Sequence, residues 1–236
     1  MRFPVNICFP FLLLFLGIQP LEAQDPEIME VVEGLWSYET LQIGESPPVP
    51  LTGLFLFQNG RFLQQTINEG GIFVEQLGMG HSGTYEWRQG IIRLLAKVGL
   101  MIEPTKTPIL ESRSNSLHHI TPDLSGDRLT LSFDMGVIQK LTRVTKGDQL
   151  EKIIDLDEGG LGLVGDRFIL VAEHPGEGVA GSGHFTRSEN ELRFKVDRWF
   201  TLRESQAQYQ RDGVIVAIFD GQKLSLPKGM TFRVKP

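Results

Sequence analysis

Tight-turn dipeptides recur along this chain at short intervals, and they constrain its fold more than any other feature. Asn59-Gly60, Gln89-Gly90, Gly126-Asp127, Gly165-Asp166, Asp212-Gly213 and Asp220-Gly221 each separate short runs rich in β-branched, aromatic and aliphatic residues. Gly, Asn and Asp accept the positive φ that two-residue hairpin turns demand, so the runs between them read as successive antiparallel strands. Alternation supports this reading. Leu129, Leu131 and Phe133 interleave with Arg128, Thr130 and Ser132, and Leu192, Phe194 and Val196 with Arg193, Lys195 and Asp197. Met230, Phe232 and Val234 interleave in the same way with Thr231, Arg233 and Lys235. A period of two gives each strand one buried and one wet face. Only Asp148 to Ile154 reads as helical, as a linker helix or short cap between two halves.

The halves resemble each other. Gly83-Thr84-Tyr85 leads through a charged turn to Ile92-Arg93-Leu94, and Gly183-His184-Phe185 leads to Leu192-Arg193-Phe194. Gly126-Asp127-Arg128-Leu129-Thr130-Leu131 is echoed by Gly221-Gln222-Lys223-Leu224-Ser225-Leu226. Each half closes on an Arg-Val pair, Arg143-Val144 and Arg233-Val234. Duplication explains these matches better than chance similarity between amphipathic strands does.

Arg2, the apolar stretch Val5 to Ile18, and Leu21-Glu22-Ala23 ahead of Asp25 form the pattern of a secretory signal, expected over residues 1–23. The apolar run is shorter than the about 20 residues that span a bilayer, and Pro10 interrupts it, so no membrane span is expected after cleavage. A secreted or periplasmic location follows. The single cysteine, Cys8, lies inside that segment, so the mature chain would carry no disulfide, thiolate metal site or Cys nucleophile. With 23 Lys and Arg against 29 Asp and Glu the net charge is −6, and no basic run exceeds two residues, which argues against a nucleic-acid partner.

The first half then resembles a known family. Gly34-Leu35-Trp36-Ser37-Tyr38, the hairpin Gly53-Leu54-Phe55-Leu56-Phe57-Gln58-Asn59-Gly60-Arg61-Phe62, Gly83-Thr84-Tyr85-Glu86 and the late Gly126-Asp127-Arg128-Leu129-Thr130-Leu131 look like the bacterial lipocalin-like domain of the calycin kind. The resemblance implies an eight-stranded up-and-down barrel. In that family the Gly-x-Trp plugs one end and an Arg of the last strand covers the indole, parts that Trp36 and Arg143 would play. It also implies a small hydrophobic molecule as ligand. The organisation expected is a lipocalin-like barrel over residues 30–145, a linker with a short helix over 146–158, and a second, degenerate barrel-like domain over 159–236. About seven strands can be placed in that second part, and Gly160-Leu161-Gly162-Leu163 has no Trp corresponding to Trp36. The fold class is therefore all-β, as tandem barrels. The alternative is one larger antiparallel barrel with pseudo-twofold symmetry. The apolar run Val214 to Phe219 is expected at the contact between the halves, because a strand apolar on both faces wants cover on both.

No complete catalytic motif appears. Gly80-His81-Ser82-Gly83 and Gly181-Ser182-Gly183-His184 set Ser beside His without the spacing of a hydrolase elbow, and they read as loops feeding strands. Adjacent His118 and His119 point to opposite faces of a strand and cannot chelate one metal together; His119 is read as the one facing the ligand. Glu173-His174 reads as a solvated pair. Asp155, Asp157, Gly160 and Asp166 fit four positions of a calcium loop, but Gly159 and the short Asp166 break the pattern. No metal and no cofactor is expected.

A small barrel can enclose one ligand, and Tyr38, Phe55, Phe57, Phe62, Tyr85, Trp87 and His119 are the residues expected to contact it. Three functions remain open. One is a secreted or periplasmic binding protein for a small hydrophobic molecule. Another is an isomerase or cyclase using the cavity, with His118, His119 or Glu86 as acid or base. The third is an interaction module with a filled barrel. An open apolar cavity favours the first, a convergent His and carboxylate the second, and a packed interior the third.

Overall fold

The computed structural model describes residues 32–68, 78–103, 110–112, 115–147, 153–203 and 206–235. The expected signal over residues 1–23, and residues 148–152 of the expected linker helix, lie outside the described residues. Among the described residues, no helix is long and apolar enough to cross a membrane.

The first half is a sheet of β1 (Gly34–Ile43), β2 (Val49–Pro50), β3 (Thr52–Gln58), β4 (Arg61–Ile67), β5 (Gly78–Arg88), β6 (Ile91–Ile102), β7 (Leu110–Ser112), β8 (Ser116–Ser125), β9 (Arg128–Phe133) and β10 (Val137–Lys146). Strands β1, β3, β4, β5, β6, β8, β9 and β10 follow one another around the sheet, and β10 pairs back onto β1 to close a barrel. The second half consists of β11 (Ile154–Leu156), β12 (Gly159–Val164), β13 (Arg167–His174), β14 (Glu177–Ser188), β15 (Glu191–Arg203), β16 (Gln206–Phe219), β17 (Lys223–Ser225) and β18 (Thr231–Arg233), paired in chain order. The bridge Leu156–Val234, with Asp157 N–H donating to Arg233 O and Lys235 N–H to Asp155 O, brings its first and last strands together. Two separate barrels form, rather than one larger one. The second has eight strands, one more than the sequence suggested. The extra strand is β11, inside the segment read as linker, so Ile154 is extended rather than helical. The Asp157-Glu158 turn that makes β11 and β12 a hairpin also disposes of the calcium-loop reading: Asp155 lies in a strand, 2.8 Å from Arg61.

The halves repeat each other in geometry. A bulge after Ser82 sets Gly83 against the β6 backbone, and one after Ser182 sets Gly183 against β15. Only glycine fits there: a Cβ would lie 1.9 Å from Leu95 O or 2.3 Å from Lys195 O. Tyr85 N–H donates to Gly60 O just as Phe185 N–H donates to Asp166 O. At the closing seam Trp36 pairs with Arg143 in one barrel and Leu156 with Val234 in the other. The sequence match of Arg143 with Arg233 is therefore off by one residue, and an apolar pair stands in the second barrel where the first has an indole and a guanidinium.

The barrels touch through their outer faces. Leu35, Leu56, Leu63, Val98 and Leu100 of the first form one cluster with Ile169, Val171, Ala180 and Phe200 of the second. The contact is reciprocal. A Cβ on Gly78 would meet Phe200 and one on Gly178 would meet Leu100, two pairs exactly matched through the repeat; Gly80 faces Ala180 and Gly162 faces Leu56. Gln65, between Leu63 and Ile67 on the outer face of β4, is fully buried with neither amide atom hydrogen-bonded. Val171 takes the corresponding place on β13. Because an orphaned buried amide costs about 1–3 kcal/mol, Gln65→Val is expected to raise stability by roughly that much in urea unfolding. A lower urea midpoint would show that the amide is satisfied.

The run Val214 to Phe219 is not at this contact, contrary to the expectation. Ile215, Ala217 and Phe219 turn inward, while Val214, Val216 and Ile218 are 56%, 37% and 47% exposed. Alternation splits the run between core and solvent, and β16 lies beyond the strands that meet the first barrel. Its outward residues pair in register with Lys195, Arg193 and Glu191, whose long stems flank the apolar stripe.

Candidate functional site

The interior of the first barrel divides into a packed end and an open end. At the packed end Trp36 is fully buried, its indole N–H donates to Val32 O at 2.9 Å, and the Arg143 guanidinium stands 4.0 Å from the ring centroid. Arg143 also donates to Glu33 O at 3.1 Å and lies 3.4 Å from Asp127. Burial lowers its pKa, and the Asp127 carboxylate opposes that shift.

Phe55, Phe57, Phe62, Tyr85 and Trp87 belong to the same packed cluster as Trp36. Phe55 stacks on Phe57 at 4.1 Å, and Tyr85 meets Phe57 edge-on at 5.2 Å. The Tyr85 hydroxyl donates to Glu33 at 2.8 Å; burial, followed by that bond, raises its pKa. These five aromatics, expected around a ligand, do not line the cavity. They fill the barrel because the inward positions nearest the plug fall on them.

Space remains at the other end, a cavity of about 160 Å³ walled by Leu41, Leu51, Met79, Leu94, Phe133 and Val137 together with the polar Thr66 and Asn68. Polar side chains converge at its floor. Gln64 donates from Nε2 to the Tyr38 hydroxyl at 2.6 Å, and that hydroxyl donates to Gln139 Oε1 at 3.3 Å. With Gln64 so oriented, its Oε1 accepts from His81 Nδ1 at 3.3 Å, which fixes the neutral tautomer and leaves His81 Nε2 as an acceptor. His118 stacks on His81 at 6.4 Å and meets Phe133 edge-on. Burial first, and then the neighbouring His118, lower the His81 pKa to about 4. His81 is half-buried and lines the cavity. Burial also raises the Tyr38 pKa, opposed by the Gln64 bond. The His118 pKa is lowered, mainly by burial, with Asp134 raising and His119 lowering it. At neutral pH this floor is a set of uncharged donors and acceptors.

Of the expected ligand residues, only Tyr38 reaches this network. His119 is corrected to an outward position: the register opposes it to Arg93 and places His118 beside the inward Leu94, so His119 is 44% exposed, 3.4 Å from Asp134. Glu86 is outward too, bound to Arg93 at 2.5 Å. His81, read as part of a loop, sits inside β5 and faces in. Gln64 and Gln139 were not singled out, although both occupy inward positions of strands with apolar neighbours on the same face.

Among the described residues, the second barrel shows no counterpart of this network. Its core is built on Phe168, Phe194 and Trp199, and its mouth opens a larger cavity of about 650 Å³ between the β15–β16 hairpin and residues 226–230. Among the described residues, no group of three or more His, Cys, Asp or Glu is placed to hold a metal. No family model matches the chain, and no curated protein or solved structure matches it significantly. The architecture itself is all-β and barrel-like, consistent with a calycin-like barrel.

Proposed function

We propose that this chain is an exported, lipocalin-like binding protein whose first barrel holds a small, uncharged, largely apolar molecule bearing one hydrogen-bonding group. The observation that carries this reading is the cavity above the Tyr38–Gln64–His81 chain, mostly apolar on its walls, with that chain at its floor and Thr66 and Asn68 as further neutral polar groups. Ligand sites commonly take this form, with a few polar groups fixing orientation inside apolar walls. The volume of about 160 Å³ suits a single ring, since an apolar cavity of roughly 150 Å³ takes up benzene. The walls and floor described carry no carboxylate or ammonium, so a charged guest would lose its hydration without a partner. Binding is favoured over catalysis for the same reason: His81 and His118 converge there without a carboxylate in the lining.

Titrating the full chain with p-cresol, toluene and p-toluate tests this reading. Saturable binding is expected for p-cresol, weaker binding for toluene and none for p-toluate. Gln139→Leu should weaken p-cresol binding about tenfold, the worth of about one hydrogen bond, and leave toluene binding unchanged. Leu41→Trp should fill the cavity and abolish both. The proposal fails if neither neutral probe binds saturably.

A further inference from the structure

The mouth of the second barrel differs from the first in size and in chemistry. Its cavity of about 650 Å³ falls within the range of small-molecule sites, whereas the first lies below it. Its depth is apolar, formed by Trp199, Ile215, Leu226 and Met230, with Trp199, Leu226 and Met230 each buried to 6% exposure or less. Thr201, Gln208 and Gln210 line the wall above, and Arg203 and Lys228 stand at the rim. In a chain of net charge −6, the described lining of this cavity holds two cations and no carboxylate.

The cations are held in place. Arg203 lies 3.1 Å from Glu177 and donates to the backbone carbonyl of Lys228. The Lys228 ammonium donates to Gln208 Oε1 at 3.0 Å, a neutral partner that leaves its charge uncompensated by that contact. Lys228 also has a left-handed backbone, φ 63°, in the turn Pro227–Gly229. Lysine is a costly choice at such a position, where Gly or Asn would sit without strain.

We propose that this mouth is a separate binding site for an amphiphile carrying a carboxylate, with its apolar part over Trp199, Ile215, Leu226 and Met230 and its head at Lys228 and Arg203. The inference does not rest on ligand binding in the first barrel. Burial of the tail supplies most of the affinity, and the rim cations select the charge.

Calorimetric titration of the full chain with decanoate and with decanol, below their aggregation limits, reads both contributions. Decanoate is expected to bind saturably and roughly fivefold or more tighter than decanol, since the rim is partly solvated. Lys228→Asn and Lys228→Gly keep the left-handed turn favourable and should bring decanoate close to decanol while leaving decanol unchanged. Leu41→Trp, which blocks the first barrel, should leave decanoate binding intact. Equal affinity for the two probes, unchanged decanoate affinity in both Lys228 variants, or loss of decanoate binding in Leu41→Trp would each overturn the proposal.

Discussion

Trp36→Ala is expected to destabilise the protein by about 3–5 kcal/mol, the range for removing a large aromatic from a packed core. Trp36 is fully buried at the seam where β1 meets β10, and its loss would leave a void beneath the Arg143 guanidinium. The orphaned Val32 carbonyl adds to the cost. Arg143→Ala should cost less, since a guanidinium over an indole contributes about 0.5–2 kcal/mol and its Asp127 partner is largely exposed. Urea unfolding of the two variants gives both numbers. If Trp36→Ala leaves the midpoint unchanged, the indole does not close the barrel. Leu156 occupies the same seam in the second barrel, and Leu156→Ala should fall within the smaller range for aliphatic truncation.

Acidification should destabilise the protein through His81. Its folded pKa is near 4, below the ordinary histidine value of 6.5. As the pH falls through 6.5, the unfolded chain takes up a proton that the folded barrel refuses, so stability drops until the pH reaches about 4 and this group then adds no further loss. The interval corresponds to about 3 kcal/mol. His118, on β8 opposite, shifts in the same direction and steepens the fall. The test is the difference between the parent and His81→Gln, because carboxylates titrate in both. The parent should lose about 3 kcal/mol more than the variant between pH 7 and pH 4. Parallel stability curves would mean that His81 protonates freely in the folded state.

The barrel architecture was legible because turn chemistry and period-two alternation are local signals that tertiary contacts rarely reverse. Gly83-Thr84-Tyr85 and Gly183-His184-Phe185 marked the repeat for the same reason: a bulge that admits only glycine leaves its mark in the sequence. Strand β11 escaped notice because three residues beside an acidic turn look like linker. The site was less legible. Alternation says which residues share a face, but not how far along the barrel each one stands, and that distance separates the filling aromatics Phe55 and Tyr85 from the cavity floor at Gln64 and Gln139. The choice between His118 and His119 turned on register with β6, which only the paired structure supplies.

The reciprocal contact between the barrels, Gly78 on Phe200 and Gly178 on Leu100, has the form of a self-complementary surface shared by two identical subunits. Here both copies belong to one polypeptide. Their association is unimolecular and independent of protein concentration, so dilution cannot separate them. Covalent fusion also releases the copies from having to change together. One could acquire a half-buried histidine pair beneath a ring-sized chamber while the other widened its mouth and gathered positive charge, a divergence that a symmetric assembly of identical chains cannot make.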